Sequence, residues 1–275
     1  MKWLQTLPQS SSPRPYAVFH DFPPSLIAFV VDALSAAVKS TGAKRAFMYL
    51  AHGTPDHMNA TLEALRSAGI EFVTFLSSYT VHGELQEIPP ADVIPYVHAQ
   101  VEINLAKIFG QENFVAVRPG AFATNIIRYK EGINAGKVPF FGSDFEMDGI
   151  TPVDMGEVSG TILAKGPHDG QRVVYLYGPQ LMKQGEAAQK VAEVLGKTAE
   201  VCEIDAASAL EHHTKAGIPG PVAEYIVRTI AQAREGKVRQ RQNYEEGVRN
   251  IESYLQRPAL GFEEWVVQNR NLFTT

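Results

Sequence analysis

The sequence predicts an α/β protein, a Rossmann-like parallel sheet flanked by helices, with a smaller and mostly helical carboxyl-terminal lobe. Two patterns predict it. Up to about residue 120, short apolar runs alternate with segments whose apolar residues recur at helical spacing, the signature of strands joined by crossover helices. Polar groups then collect just past the apolar runs: Ser77-Ser78-Tyr79, His98 with Glu102, and Arg118-Pro119-Gly120 with Asn125. Such gathering at strand ends is the layout of a site along the carboxyl edge of a parallel sheet.

The elements follow in order. Residues 1–15, rich in Ser and Pro, read as a loose arm, and 16–19 as a short strand. Pro23-Pro24-Ser25 opens a helix that carries Leu26, Ile27, Val30, Val31, Leu34 and Val38 and stops at Gly42. Residues 46–51 are apolar throughout, as expected of a strand covered on both faces. Thr54-Pro55-Asp56 supplies a cap, a first-turn proline and an acid for a helix whose buried stripe is Met58, Leu62 and Leu65, ending at Gly69. A strand at 72–76, a helix bearing Ile94, Val97, Val101, Leu105 and Ile108 and closed by Gly110, and a strand at 114–117 complete the first half. Beyond it, strands at 173–177 and 201–204 enclose a helix with Val191, Val194 and Leu195 inward and Gly196 after it. Residues 206–255 are mostly helical, starting at the cap Asp205, with Pro221 opening a helix that carries Ile226, Val227 and Ile230. The expected organisation is an arm (1–15), a Rossmann-like core with an atypical amino-terminal half (16–160), and remaining core strands plus a substrate-binding lobe (161–275).

With 275 residues, 45% of them hydrophobic, the chain has enough apolar surface for one large core. A formal net charge of −5 argues against nucleic acid or an anionic membrane as principal partner. Lys237-Val238-Arg239-Gln240-Arg241 is basic but flanked by acids, and reads as a solvated helix end. One cysteine, Cys202, excludes an internal disulfide and suits a reducing, cytoplasmic setting. The most apolar run, 26–38, is too short to span a membrane and contains Asp32. Met1-Lys2-Trp3-Leu4 opens like a signal peptide, but Pro8 and a polar stretch interrupt it.

A dinucleotide-binding sheet needs glycines after a strand, so that its backbone can approach the pyrophosphate at a helix N-terminus. His20-Asp21-Phe22-Pro23-Pro24-Ser25 has no glycine, two prolines without amide donors, and an acid. His52-Gly53-Thr54-Pro55-Asp56 has one glycine and again an acid, so Gly53 and Thr54 are the only weak cofactor candidates. The histidines lack zinc-site spacing: His52 and His57 are five apart and His212 and His213 adjacent, and no metal is expected. No Gly-x-Ser-x-Gly elbow surrounds Ser77 or Ser78.

Phe75-Leu76-Ser77-Ser78-Tyr79, His98-Ala99-Gln100-Val101-Glu102, and Val117-Arg118-Pro119-Gly120-Ala121-Phe122 with Asn125 together resemble the second half of an NmrA-like atypical short-chain dehydrogenase/reductase. Ile150-Thr151-Pro152-Val153-Asp154-Met155, Tyr177-Gly178-Pro179 and Phe262-Glu263-Glu264-Trp265 extend the resemblance over roughly residues 45–275. It implies a Rossmann-like fold, NADP as cofactor and, as often in fungal members, a place in secondary metabolism. Two departures stand out: the glycine-loop units are missing or replaced by residues 1–45, and the catalytic Tyr-x-x-x-Lys pair is gone. In one register His98 takes the lysine position and Ile94 the tyrosine; in the other Tyr96 stays and Gln100 replaces the lysine.

What remains is acid–base equipment. His98 and Glu102 lie four apart on one helix face, where a carboxylate can orient and charge an imidazole; a surface ion pair is the plain alternative. The sequence therefore predicts a cofactor-independent enzyme that isomerises, cyclises or rearranges a hydrophobic small molecule such as an epoxide or enolisable carbonyl. His98 would move the proton, Glu102 orient it and Tyr79 hold the reacting oxygen, with Ser78, His82, Tyr96, Arg118, Phe122, Asn125 and residues 218–230 around the substrate. Asp144, Glu146 and Asp148 read as a solvated acidic loop. The alternatives are an NADP-dependent reductase and a non-catalytic sensor of a dinucleotide or metabolite. An exposed first strand favours a homodimer.

Overall fold

The computed structural model describes residues 24–237 and 241–274; the expected arm and the expected strand at 16–19 lie outside them. Helix α1 (Pro24–Thr41) begins at Pro24 among the described residues, and Gly42 stops it with a left-handed φ of 67°. The first half continues as β1 (Arg45–Tyr49), α2 (Asn59–Ala68), β2 (Phe72–Leu76), α3 (Val93–Phe109) and β3 (Phe114–Pro119). Next come α4 (Lys130–Ala135), β4 (Lys137–Phe140), β5 (Glu146–Met147), α5 (Pro152–Lys165), β6 (Val173–Leu176), β7 (Met182–Lys183) and α6 (Gln184–Val194). The chain then forms β8 (Glu200–Glu203), α7 (Ala206–Lys215), α8 (Gly220–Arg234), α9 (Tyr244–Leu255) and α10 (Phe262–Gln268).

The main sheet is parallel in the order β1-β2-β3-β6, with Phe75 registered between Met48 and Ala116. Because all three pairings are parallel, the four carboxyl ends share one edge. Helices cover both faces. On one, Leu62 and Leu65 of α2 and Val101 and Leu105 of α3 pack with Val73 and Phe75. On the other, Val158 and Ile162 of α5 pack with Val115, Val117 and Val174. A third cluster joins Trp265 and Phe273 to Ile133, Val138 and Phe140, beside the small parallel pair β4-β8. The antiparallel pair β5-β7 fixes the loop that carries Asp148. Full burial of each large apolar side chain stabilises by about 1.5–3 kcal/mol.

Two local expectations are corrected. The run 46–51 is not covered on both faces: β1 is the margin of the described sheet, and Phe47 and Tyr49 are 43% and 67% exposed. Nor does a helix begin at Thr54. Its hydroxyl donates to the Ala51 carbonyl, closing a turn, and α2 starts only after Met58 at a left-handed φ of 65°. The cap is supplied by Asp56, whose carboxylate accepts from the Ala60 amide at 2.9 Å. Gly69, Gly110 and the Asp205 cap behave as the sequence predicts.

Candidate functional site

Strand β2 runs on into Ser77 and Tyr79, whose amides donate to the Val117 and Pro119 carbonyls, so the two strand ends are held side by side. Directly below them lies Glu102 of α3, 2% exposed. Its carboxylate accepts from Arg118 Nη2 at 2.6 Å and Nε at 3.1 Å, and from the Ser77 hydroxyl at 2.5 Å. Arg118 Nη1 donates to the Val81 carbonyl at 2.8 Å and to the Tyr175 hydroxyl at 3.2 Å. Burial pulls the guanidinium pKa down, but the bonds and charge of Glu102 outweigh it, and the net shift is upward.

This pairing corrects the expected roles. Glu102 does not orient His98, because its oxygens are taken by Arg118 and Ser77. His98 Nδ1 instead lies 2.8 Å from the Ile94 carbonyl. A carbonyl only accepts, so Nδ1 carries the proton and Nε2 of the neutral ring is an acceptor. Burial lowers the His98 pKa, against the opposing pull of the Ile94 carbonyl and the Glu102 charge. At neutral pH His98 is therefore a base rather than a proton donor. Arg118 bonds to the loop after β2, to α3 and to β6 at once and works as a tie.

Of the other predicted residues, Ser78 shares a hydrogen bond with the Thr80 hydroxyl, and Tyr96 meets His57 edge-on. Phe122 packs into the α5 side of the core, while His82 and Asn125 are exposed. Tyr79 is half-buried beneath a guanidinium absent from the expected set. Arg241 lies over its ring at 4.8 Å, with Nε 3.0 Å from Asp148 Oδ1 and Nη2 donating to the Glu146 carbonyl. Neither partner is solvated as expected: the Asp148 and Arg241 side chains are 0% and 3% exposed. Asp148 also accepts from the amides of Ala121 and Gly178. That contact requires the glycine, since a Cβ at position 178 would stand 1.9 Å from the Asp148 carbonyl oxygen. Thr151 caps α5 and donates to Asp154, whose carboxylate also holds Arg257 and the Leu260 amide. A Thr-x-x-Asp spacing is a capping signal that gives this away in the sequence.

At the carboxyl end of β1 a depression of about 300 Å³ is lined by Leu50, Ala51, His52, Gly53, Thr54, Pro55, His57 and Val97. Burial, and then the neighbouring His98, push the His52 pKa down to about 4, so its ring is uncharged at neutral pH. Asn104 pins this loop to α3 through the Asp56 and His57 carbonyls. The turn makes no phosphate cradle. Pro55 has no amide, and Asp56 both binds the Ala60 amide and places a negative charge where a phosphate would sit. The depression has an apolar floor and a polar rim, and a pyrophosphate does not fit this turn. No cluster of three metal-ligating side chains occurs among the described residues, and no described helix is long and apolar enough to cross a membrane.

No family model matches the chain. It is 32% identical over 255 residues to the nitrogen metabolite regulation-like protein bik4 of Gibberella fujikuroi, a match covering 86% of this chain and 77% of that protein. The chain belongs to the NmrA-like family. Solved structures share its fold at low identity. An NADPH-dependent quinone oxidoreductase of Escherichia coli is 17% identical with TM-score 0.63, covering 88% of the NmrA-like chain and 80% of its own. The triphenylmethane reductase of Citrobacter sp., complexed with NADP(H), is 15% identical with TM-score 0.64, covering 87% and 80%. A nucleoside-diphosphate-sugar epimerase of Staphylococcus aureus is 14% identical with TM-score 0.65, covering 87% and 81%. The NmrA-like chain thus carries the Rossmann-type fold of such reductases and epimerases.

Proposed function

We propose that this NmrA-like chain is an NADP(H)-linked reductase of a hydrophobic small molecule. The observation that carries the reading is the depression at the end of β1, on the edge where parallel sheets place their ligands. The reductases of like fold that are named for NADPH or complexed with NADP(H) support it. Leu50, Ala51 and Val97 would form the floor under the nicotinamide and keep water from it, with uncharged His52 and Thr54 at the rim. The dinucleotide, when bound, supplies a hydride. His98, a neighbour of His52, keeps its proton on Nδ1 and leaves Nε2 as an acceptor. Tyr79, just past the end of β2, would meet the substrate.

The cofactor-free acid–base reading loses the orienting carboxylate it relied on, because Glu102 is spent on Arg118. A second reading, a sensor that binds dinucleotide without turnover, is favoured by the missing Tyr-x-x-x-Lys pair. Titration of the purified chain with NADPH, following nicotinamide emission, separates them. The expected result is saturable binding with Kd of about 1–100 µM and oxidation of bound NADPH with an aromatic ketone or quinone. Binding without oxidation across a panel of such acceptors would leave the sensor; no binding at millimolar NADPH would remove both.

We also propose that a second copy pairs along β1, which has an unpaired backbone edge among the described strands and carries the exposed Phe47 and Tyr49 on one face. Sedimentation velocity is expected to show a dimer that Phe47→Lys with Tyr49→Lys converts to monomer. A wild-type monomer at about 100 µM would rule the pairing out.

A further inference from the structure

Arg241 is a buried cation beside Tyr79. Its side chain is 3% exposed, and Nη1 has no hydrogen-bond partner. Nε stands 3.0 Å from Asp148 without the alignment of a hydrogen bond, Nη2 donates to the Glu146 carbonyl, and the Tyr79 hydroxyl also helps to hold the guanidinium charged. Buried guanidinium donors are ordinarily all paired. The backbone at Arg241 has φ 59°, a region arginine seldom visits, so the fold holds the residue there against its preference.

The surroundings are aromatic. The guanidinium lies over the half-buried Tyr79, which meets Tyr177 edge-on at 6.0 Å. Tyr177 in turn faces Tyr175 in parallel at 6.5 Å and Tyr244 at 5.6 Å. Tyr225 of α8 closes the group from the carboxyl-terminal lobe: burial, foremost, and electrostatic coupling to Tyr79 and others push its pKa up to about 12. Four of the five, Tyr79, Tyr175, Tyr225 and Tyr244, are neither buried nor fully exposed.

Charge decides what oxygen this donor wants. Asp148 already neutralises Arg241, so a second full anion would face an uncompensated carboxylate, whereas a neutral acceptor gains the donor without that repulsion. We propose that Arg241 and the Tyr79 hydroxyl form a recognition subsite for the carbonyl oxygen of a flat, conjugated ring, held among the tyrosines. The proposal rests on reading the carboxyl edge as a reductase site and names its substrate class. It does not depend on how the dinucleotide binds.

The test is calorimetric titration with 4-hydroxyacetophenone and with 4-ethylphenol, which keeps the ring and size but lacks the carbonyl. The wild-type chain is expected to bind the ketone at least about tenfold more tightly. Arg241→Lys keeps the charge opposite Asp148 but removes the planar fork, and its preference is expected to fall below about twofold. The charge-neutral pair Asp148→Asn with Arg241→Met serves if the lysine variant does not melt cooperatively, with the same expectation. Equal affinities in the wild type, no binding of either compound at 10 mM (about the limit for a specific site), or a tenfold preference surviving in a folded variant would overturn the proposal. NADPH titration of Arg241→Lys keeps the two readings apart. Lost ketone preference with NADPH binding intact is the expected pattern, and ketone preference in a wild type that binds no NADPH would sink only the reductase.

Discussion

Replacing Arg118 with methionine is expected to lower folding stability by about 3–5 kcal/mol, the usual consequence of removing one partner of a buried ion pair. The substitution leaves Glu102 charged at 2% exposure, with the Ser77 hydroxyl as its remaining donor among those the structure records, and frees the Val81 carbonyl from its 2.8 Å bond. It also uncouples α3 from the loop after β2 and from β6, since Arg118 bonds to Glu102, to Val81 and to Tyr175. Glu102→Gln combined with Arg118→Met removes both charges and is expected to recover at least half of the loss. Urea unfolding of the three proteins measures this. An Arg118→Met chain within about 1 kcal/mol of wild type would mean the pair behaves as a surface ion pair does.

Acidification between pH 6.5 and 4 is expected to lower the melting temperature by on the order of 5–10 °C. Burial depresses the pKa values of His52, His98, His212 and His213, those of His52 and His213 to about 4. A group whose folded pKa lies below its unfolded value takes up its proton first in the unfolded chain. Its contribution is fully present above the unfolded pKa of 6.5 and is lost as pH falls toward the folded value. His213 is the best probe: it is 4% exposed, its Nδ1 has no partner, and both Arg128 and His212 oppose its protonation. The partly open His52 contributes less, because solvent screens it. Differential scanning calorimetry across this range should show a shallower fall for His213→Leu than for wild type. A flat wild-type profile down to pH 4.5 would contradict the assignment of these rings as neutral.

Much of the sheet was legible because its signals are local. Gly69 and Gly110 mark helix ends by needing backbone that other residues resist, and Asp205 caps α7 as its spacing predicts. The site was less legible because its decisive contacts join distant segments. Glu102 four residues after His98 suggests a pair on one helix face, yet Arg118 from β3 offers a bidentate partner that the imidazole cannot match. Asp148 and Arg241 each sit in a run of charges that reads as solvated, and only the fold brings them together, with the guanidinium over Tyr79. The apolar run 46–51 could not reveal that β1 lies at a margin, since strand neighbours are set by topology.

The central claim is that the nicotinamide end of a dinucleotide seats on the floor made by Leu50, Ala51 and Val97. A crystal structure of the chain grown with NADP⁺ tests it most directly. The account predicts ring density over that floor, between His52 and His98, with the phosphates away from Asp56. Density anchored instead on the Thr54–Asp56 turn, or a nucleotide bound elsewhere with this floor empty, would contradict it.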